Sequence, residues 1–509
     1  MIKLIDNFLN KITMYRLATY VLSFLFLTAL SLSFFKLLPY TPTDLIMSFA
    51  VITVVSWVVN VIFAKIFEAP ANVESIYITA LILVFIITPP LTGDYSQFLP
   101  IAAWSSVWAM ASKYILAIRK KHIFNPAAFA VALTAFTIGE SASWWVGTLC
   151  MLPFVAIGGL LIVRKIRRAD TVISFFAAAL ATIFAFGIMN GTNLPSYFYK
   201  TFAYSPIVFF AFIMLTEPLT APPTKMLRLG YGALVGFLFA PAIHIGSLYS
   251  TPELALIFGN IFSYLVSPKE KLVLKLKEVV KVAADTFDFI FTGNQKFDFK
   301  PGQYMEWTLP HKRPDDRGYR RYFTLASSPT EPDVRIGVKF YPKRSSFKNK
   351  MANMNSGEAI IASGRAGDFI LPKDRREKMV FIAGGIGVTP FRSMIKFLLD
   401  KNEKRAITIL YSNKTVADIA YKDIFDAAES RLGIKTVYAI TDQSQTPTNP
   451  QMRVGFIDKK MITEEIPDYA DRIFYVSGPH SMVVAFEDTL KDMGIKKNKI
   501  KIDFFPGLA

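Results

Sequence analysis

Apolar residues follow two different rhythms along this chain. Up to about residue 267 they form long runs separated by short polar breaks; beyond it they alternate with polar residues in short stretches. Runs near 16–38, 44–67, 74–91, 97–116, 124–139, 142–163, 170–189, 204–216, 229–247 and 252–267 approach the roughly 17–25 residues of a bilayer-crossing helix. The first run follows Lys3, Lys11 and Arg16, is too long for a signal-peptide core and lacks a cleavage site, so it reads as a retained span. The alternating stretches Leu272–Val280, Phe287–Thr292, Tyr304–Leu309, Tyr322–Ala326 and Asp333–Lys339 predict a small β-barrel. From Met379 the pattern becomes strand–helix: Met379–Ala383 and the helix after it, then Ala406–Tyr411, Lys435–Ala439 and Arg472–Val476. That order predicts a parallel α/β sheet. The expected fold class is therefore multi-domain: an all-α polytopic membrane bundle of about ten helices, a β-barrel and an α/β nucleotide-binding domain, bounded at 1–268, 269–374 and 375–509.

Charge sharpens the division. Residues 1–268 hold 16 Lys/Arg and 9 Asp/Glu, leaving 71 of the chain's 96 charged residues to the remaining 241 positions. The basic residues of the first part sit in alternate loops: Lys65; Arg119, Lys120 and Lys121; Arg164, Lys165, Arg167 and Arg168; Lys225 and Arg228; Lys269 and Lys271. By the positive-inside rule this arrangement predicts ten spans with both termini in the cytoplasm. Loop bias and a solvated surface account for the net +18 without nucleic acid as a partner. One cysteine, Cys150, excludes a disulfide framework and a four-thiolate iron–sulfur cluster, and with only four histidines no metal centre is expected.

Two segments of the first part depart from plain lipid-facing helix. Asn125 reads as a helix cap with Pro126 in the first helical position, and Thr216–Glu217–Pro218–Leu219–Thr220–Ala221–Pro222–Pro223–Thr224 interrupts an apolar run. A carboxylate there, Glu217, is a functional candidate, and equally a helix-end turn. Phe124–Asn125–Pro126–Ala127–Ala128, the loop Thr216–Ala221 and Tyr231–Gly232–Ala233–Leu234–Val235–Gly236 resemble membrane subunits of bacterial respiratory flavin pumps. These are the NqrB-type subunit of the sodium-translocating NADH:quinone reductase and the RnfD-type subunit of the Rnf complex, and the similarity covers roughly residues 70–265. The resemblance implies a ten-helix bundle of two related halves that holds flavin and moves electrons across the membrane. Those subunits attach FMN covalently to a threonine in a Gly-Ala-Thr context, which occurs nowhere here; Gly139–Trp145 is the corresponding short stretch. No covalent FMN is expected, and a non-covalent FMN or riboflavin stays open.

The second part carries motifs for two nucleotides. In Arg320–Arg321–Tyr322–Phe323–Thr324, an arginine at a strand start can pair with a pyrophosphate and a hydroxyl three residues on can face an isoalloxazine ring. Taken alone, such a strand is more often structural. Arg344–Ser345–Ser346–Phe347–Lys348 offers hydroxyls and a helix start for phosphate oxygens. Gly384–Gly385–Ile386–Gly387–Val388–Thr389–Pro390 follows an apolar strand and precedes a helix, the context in which a glycine loop admits a pyrophosphate. Ser477–Gly478–Pro479 ends a later strand, and the chain closes on Asp503–Phe504–Phe505–Pro506–Gly507–Leu508–Ala509, aromatic residues able to stack on a ring or to fill a core.

Together these residues resemble the ferredoxin–NADP reductase superfamily across about 271–509. The resemblance implies FAD and NAD(P)H as cofactors. It assigns Arg321 to the flavin pyrophosphate with Tyr322 and Phe323 alongside, Thr324 to the isoalloxazine N5 region, and Ser345 and Ser346 to flavin phosphate. Gly384, Gly385, Gly387 and Thr389 fall to the nicotinamide nucleotide, Ser477, Gly478 and Pro479 lie near the nicotinamide, and Phe505 stacks. Thr324 and Ser477 are the candidate catalytic residues. Phe323 departs from the usual tyrosine and Ser477 from the cysteine of many members. Ser412, Asn413 and Lys414 would meet a 2′-phosphate while Asp418 would oppose it; analogy with the pumps points to NADH.

The expected function is a membrane-bound NAD(P)H-oxidising flavoprotein of the bacterial inner membrane, with its reductase domain cytoplasmic. It would pass electrons via FAD to or through the membrane domain, to quinone or an acceptor across the bilayer, with additional electron-transfer subunits as partners. The alternatives are a redox-driven cation transporter and a ferric-reductase or NADPH-oxidase type. The latter needs intramembrane histidine pairs for haem, and only His244 falls inside an expected span, with His122 at its interface.

Overall fold

The structure, a computed structural model, describes residues 5, 8–9, 12–67, 73–90, 95–118, 121–267, 271–293, 298–312, 314–315, 318–342, 344–444 and 451–503. The chain divides into two compact units, Met1–Ser267 and Pro268–Ala509. The expected sites at Phe505, Arg119, Lys120 and the 268–270 junction lie outside the described residues.

Unit 1 is helical: α1 (Met14–Phe34), α2 (Pro42–Ile66), α3 (Val73–Ile86), α4 (Phe98–Ile115), α5 (Pro126–Ile138), α6 (Leu152–Ile166), α7 (Ala169–Met189), α8 (Leu194–Ala203), α9 (Ile207–Phe209), α10 (Lys225–Leu238) and α11 (Pro252–Val266). By length and composition α1, α2 and α7 can each cross a membrane. The helical stretches Leu194–Ala203 and Ile207–Met214 pass the same test as one pair bent by 61°. Shorter apolar helices at Glu74–Ile86, Pro126–Ile138 and Pro252–Val266 accompany them. Asn125 caps α5 as expected, its side-chain oxygen accepting from the Ala128 N–H at 3.1 Å ahead of Pro126.

Three expected spans run differently. The stretch 142–163 becomes helical only at Leu152. The residues before it instead satisfy the last carbonyls of α3: the Trp144 N–H donates to Ile86 O (3.0 Å), Val146 N–H to Phe85 O (3.2 Å) and the Trp145 indole to Val84 O (2.7 Å). The stretch 204–216 is α9 continued by a π-helical turn, Phe210–Met214. The stretch 229–247 is helical only to Leu238; Pro241 cannot extend a helix, and His244–Ile245 then pairs with Leu248–Tyr249 around Gly246 at φ +61°. His244 is therefore in an exposed hairpin and not inside a span.

Glycines set the packing of α10 on α7. A Cβ at Gly232 would stand 2.5 Å from Thr171 O, and one at Gly236 would stand 2.4 Å from Phe175 O, so two glycines one turn apart bring the backbones together.

Unit 2 holds two six-stranded sheets. The first comprises β1 (Lys271–Ala283), β2 (Thr286–Gly293), β3 (Tyr304–Thr308), β4 (Arg320–Thr324), β5 (Val334–Lys339) and β6 (Ala359–Ala366). It is antiparallel in the order β4-β3-β6-β1-β2-β5, and its inner face packs Trp307, Phe289, Phe291 and Ile336 under the short helix α12 (Ser346–Ala352). Beyond β4 the Ala326 N–H donates to Arg335 O at 2.8 Å, so the two edges approach at one end. Among the described residues the β4–β5 ladder itself stays open.

The second sheet comprises β7 (Met379–Gly384), β8 (Ile407–Asn413), β9 (Lys435–Ile440), β10 (Met452–Val454), β11 (Ile473–Ser477) and β12 (Ile500–Asp503), every pair parallel. Its order is β10-β9-β8-β7-β11-β12. Strand β7 is apolar and wholly buried, as a strand covered on both faces must be. Its helices are α13 (Thr389–Asp400), α14 (Lys422–Leu432), α15 (Lys459–Glu465) and α16 (His480–Asp492). The chain leaves β7 toward β8 on one side and later returns as β11 on the other. That reversal opens a crevice at the carboxyl ends of β7 and β11, where α/β sheets bind ligands.

Candidate active site

The glycine loop lies in that crevice. Gly385 to Val388 form one 3₁₀ turn, and Pro390 sits in the first turn of α13. A Cβ at Gly387 would stand 2.5 Å from both Gly478 Cα and Ser477 O, so the loops after β7 and β11 touch backbone to backbone. Gly384 lies against Met482 and Pro479 in the same way. Gly385 has φ +51°, and a Cβ on it would project into open space above the loop. An unobstructed concavity over backbone N–H groups at a helix start fits a pyrophosphate. Thr389 caps its own turn, donating from Oγ1 to Ile386 O at 3.1 Å.

Next to Gly478, Ser477 is buried and donates from its hydroxyl to Asp503 Oδ2 at 3.2 Å. The two residues are also partners across the β11–β12 ladder. Desolvation pushes the Asp503 carboxyl up to about 7, with the Ser477 hydrogen bond acting in the opposite direction. Sequence reasoning misses Asp503 as a site residue; an acid at the end of an alternating strand is the available signal.

The flavin-side residues gather on β4 and α12. Arg321 is buried, its guanidinium over the Phe347 ring at 5.3 Å, and Phe323 packs on the same ring at a centroid distance of 5.9 Å. Tyr322 points to the other face and donates to Glu306 Oε2 at 2.9 Å. Thr324 ends the strand opposite Tyr304, buried, and Leu325, Ala326 and Ser327 lead on toward the second sheet. Ser345 caps α12, accepting from the Lys348 N–H at 3.2 Å. Asp315, a residue absent from the sequence expectations, accepts from Arg321 Nη2 (2.8 Å) and from the Ser346 N–H (3.2 Å). Its carboxylate stands in for an anion: the guanidinium and helix-start N–H that the resemblance assigns to flavin phosphate already converge on one negative group.

In unit 1 the two interrupted motifs meet. Glu217 accepts from Asn125 Nδ2 (3.0 Å) and Thr220 Oγ1 (3.2 Å), and His122 Nε2 lies 3.2 Å from its other oxygen. Asn260 accepts from the Asn125 N–H at 2.8 Å. Arg168 and Arg228 donate to Pro222 O and Pro223 O, so the basic residues near this loop hold its carbonyls. Among the described residues no cluster of three or more His, Cys, Asp or Glu side chains is arranged for a metal ion.

Residues 381–488 match the oxidoreductase NAD-binding domain family. The reductase subunit of glycine betaine monooxygenase from Chromohalobacter salexigens is 28% identical over 222 residues, 42% of this chain and 60% of that protein. A flavohemoprotein from Bacillus thuringiensis is 25% identical over 221 residues, 42% of this chain and 54% of that protein. The chain thus spans little more than half the length of these curated relatives. Among solved structures, an Amycolatopsis cytochrome P450 reductase matches with a TM-score of 0.42 at 25% identity, over 47% of this chain and 71% of its own. The matched segment holds the glycine loop, the Ser477–Pro479 loop and the crevice between them. Unit 2 thus carries a match to the oxidoreductase NAD-binding domain family over residues 381–488 and is similar to NAD(P)H-dependent flavin reductases.

Proposed function

We propose that this protein is a membrane-bound NAD(P)H-oxidising flavoprotein that passes electrons through FAD to or through its membrane unit, to quinone or an acceptor across the bilayer. The observation that carries the reading is the meeting of the Gly384–Thr389 and Ser477–Pro479 loops at one crevice. Arg321 and the Ser346 N–H provide a converged anion seat in the same unit. FAD, when bound, would supply the hydride-accepting and one-electron-releasing chemistry. The chain's residues supply position and charge. Gly385 and Gly387 admit the pyrophosphate, and Thr389 fixes the loop. Arg321, Ser345 and Ser346 would hold flavin phosphate, with Phe323 beside the isoalloxazine and Tyr322 on the opposite face of β4, bonded to Glu306. Thr324 bonds near N5, and Ser477, Gly478 and Pro479 border the nicotinamide. Phe505 is the proposed ring-stacking residue on the resemblance alone. Residues 269–374 form the flavin-binding barrel domain and 375–509 the nucleotide-binding domain.

For residues 1–268 the reading rests on the resemblance to the flavin-pump subunits: a ten-span bundle in a bacterial inner membrane with the reductase cytoplasmic, a non-covalent FMN or riboflavin as relay, and further electron-transfer subunits as partners. Glu217 does not favour a cation-transport reading, because both its oxygens already have polar neighbours. Purification tests the proposal. The full chain should be yellow, with absorbance near 450 nm that NAD(P)H bleaches under anaerobic conditions. A colourless protein that stays so when FAD is supplied would refute it.

A further inference from the structure

Asp288 is fully buried in β2 between Phe287 and Phe289. A carboxylate with no solvent access is tolerated only where its oxygens are paired. Arg335, on the neighbouring strand β5, donates from Nη1 to Oδ2 at 2.8 Å. The other oxygen accepts a short bond from the Tyr421 hydroxyl. Tyr421 comes from the other sheet's layer, at the residue before α14, with φ +59°. A bulky residue held in the left-handed region signals that its surroundings fix it there.

The partner of Asp288 across the ladder is Gly337. A Cβ at Gly337 would stand 2.5 Å from Tyr421 Oη, 2.7 Å from Thr389 Cγ2 and 3.2 Å from Ile386 Cδ1. The missing side chain lets three groups onto strand β5: one from the start of α14 and two from the glycine loop. Other bonds along this seam run in the same sense. Lys339 Nζ meets Asp418 Oδ1 at 2.9 Å, the Ala284 N–H donates to Ala417 O at 2.9 Å, and Ser393 Oγ donates to Ser327 O at 2.6 Å. An apolar seam could slide; a buried carboxylate read by a phenol from one side and a guanidinium from the other has one low-energy register.

We infer that Tyr421, acting through Asp288 over the bare Gly337, is a positioning residue that fixes the nucleotide-binding layer on the flavin-binding sheet in the register hydride transfer requires. The inference rests on the proposed NAD(P)H-to-flavin reaction. Donor and acceptor must approach to about 3–3.5 Å, and a displacement of about 1 Å can cost on the order of 100-fold in rate. Tyr421 acts on that distance and on neither cofactor directly.

The test uses the full-length flavoprotein in detergent, with rapid mixing to separate flavin bleaching by NADH from reoxidation of the flavin by ferricyanide. Tyr421→Phe removes only the hydroxyl. It should slow bleaching at saturating NADH at least about tenfold and weaken the long-wavelength charge-transfer absorbance of the stacked rings. FAD content, half-saturating NADH and the reoxidation rate should stay near wild type. Gly337→Ala, which crowds the phenol together with Thr389 and Ile386, should also slow bleaching at saturating NADH, and decides the matter if Tyr421→Phe fails to hold flavin. Bleaching within about twofold of wild type in the folded variants overturns the inference, as does a rise in half-saturating NADH at an unchanged limiting rate. Wild-type flavin that NADH does not bleach overturns this inference together with the proposed function; fast variants beside a bleached wild type overturn this inference alone.

Discussion

The pH response of Asp503 can be worked out from the structure. Its carboxyl moves from an ordinary 3.8 to about 7 because desolvation opposes its charge, with the Ser477 hydrogen bond acting the other way. At about 1.36 kcal/mol per pKa unit, a fully enclosed carboxyl would cost about 4 kcal/mol to keep ionised. Asp503 is only partly buried, so about 2–4 kcal/mol is the expected range. The sign follows from proton counting. Between pH of about 4 and about 7 the folded protein keeps a proton that the unfolded chain has released, so stability falls as pH rises through that window and levels off above it. Asp503→Asn has no proton to lose. The assay is flavin release on heating, followed by fluorescence across the same pH range. The variant should lack the fall that the wild type shows and should be the more stable of the two at pH 8. The chemistry should respond in the opposite sense. On the proposed placement of the nicotinamide beside Ser477, a carboxylate at Asp503 would stabilise the positive charge that develops as hydride leaves. Wild-type bleaching should therefore quicken as pH rises through about 7, while Asp503→Asn stays at the slow limit. Parallel pH profiles for the two proteins, in stability and in bleaching, would refute the reasoning.

Other predictions follow from the same geometry. Arg321→Ala should weaken FAD binding about 10–100-fold, the loss of one or two charged hydrogen bonds to phosphate. Asp315→Asn, which removes the competing carboxylate from the same seat, should tighten it; fluorescence titration of the flavin-free protein measures both. Gly385→Ala places a side chain at φ +51°, costing about 1–2 kcal/mol. It should raise half-saturating NADH about five- to thirtyfold at constant FAD content, read by steady-state ferricyanide reduction. Gly236→Leu would drive α10 off the Phe175 carbonyl and should abolish a monodisperse peak in detergent chromatography while NADH:ferricyanide activity survives, since unit 2 has its own cores.

What is legible in the sequence is what local rules control. The parallel sheet is readable because β7 is six consecutive apolar residues followed by a glycine turn and a proline-led helix. The Asn125 cap is readable because capping is decided within three residues. What fails depends on long-range contacts. Apolar content extends a span across Trp144 and Trp145, but these residues spend their N–H groups on the end of α3, some sixty positions earlier. The neighbours of His244 alone would put it in a membrane, whereas Pro241 and Gly246 turn the chain into a hairpin. In the site, the glycine loop can be found from its own seven residues, but Asp315 and Tyr421 cannot. Asp315 gains its role by joining Arg321, six residues on, to the Ser346 N–H, 31 residues on, and Tyr421 by meeting Asp288, 133 residues away, which no local pattern announces. Asp288 does carry a trace: an acid between two phenylalanines in an otherwise apolar strand needs a partner.

The histidines decide between the enzyme readings more firmly than their number alone. Pairing haem on helices needs imidazoles facing one another across a bundle. Of the four in this chain, His311 and His480 belong to unit 2. His244 stands in an exposed hairpin with Nδ1 3.0 Å from Gly246 O. That leaves His122, whose Nε2 faces Glu217 next to Asn125. A single imidazole tied to a carboxylate cannot form a bis-histidine site. With one cysteine, an iron–sulfur relay within the chain fails for the same arithmetic. Under the proposed function, electrons leaving FAD would then go to a second flavin, to a quinone, or to a partner that brings its own metal. Extraction of the purified chain after acid precipitation separates these: flavin above one equivalent points to an internal relay, and one equivalent of FAD alone points outward.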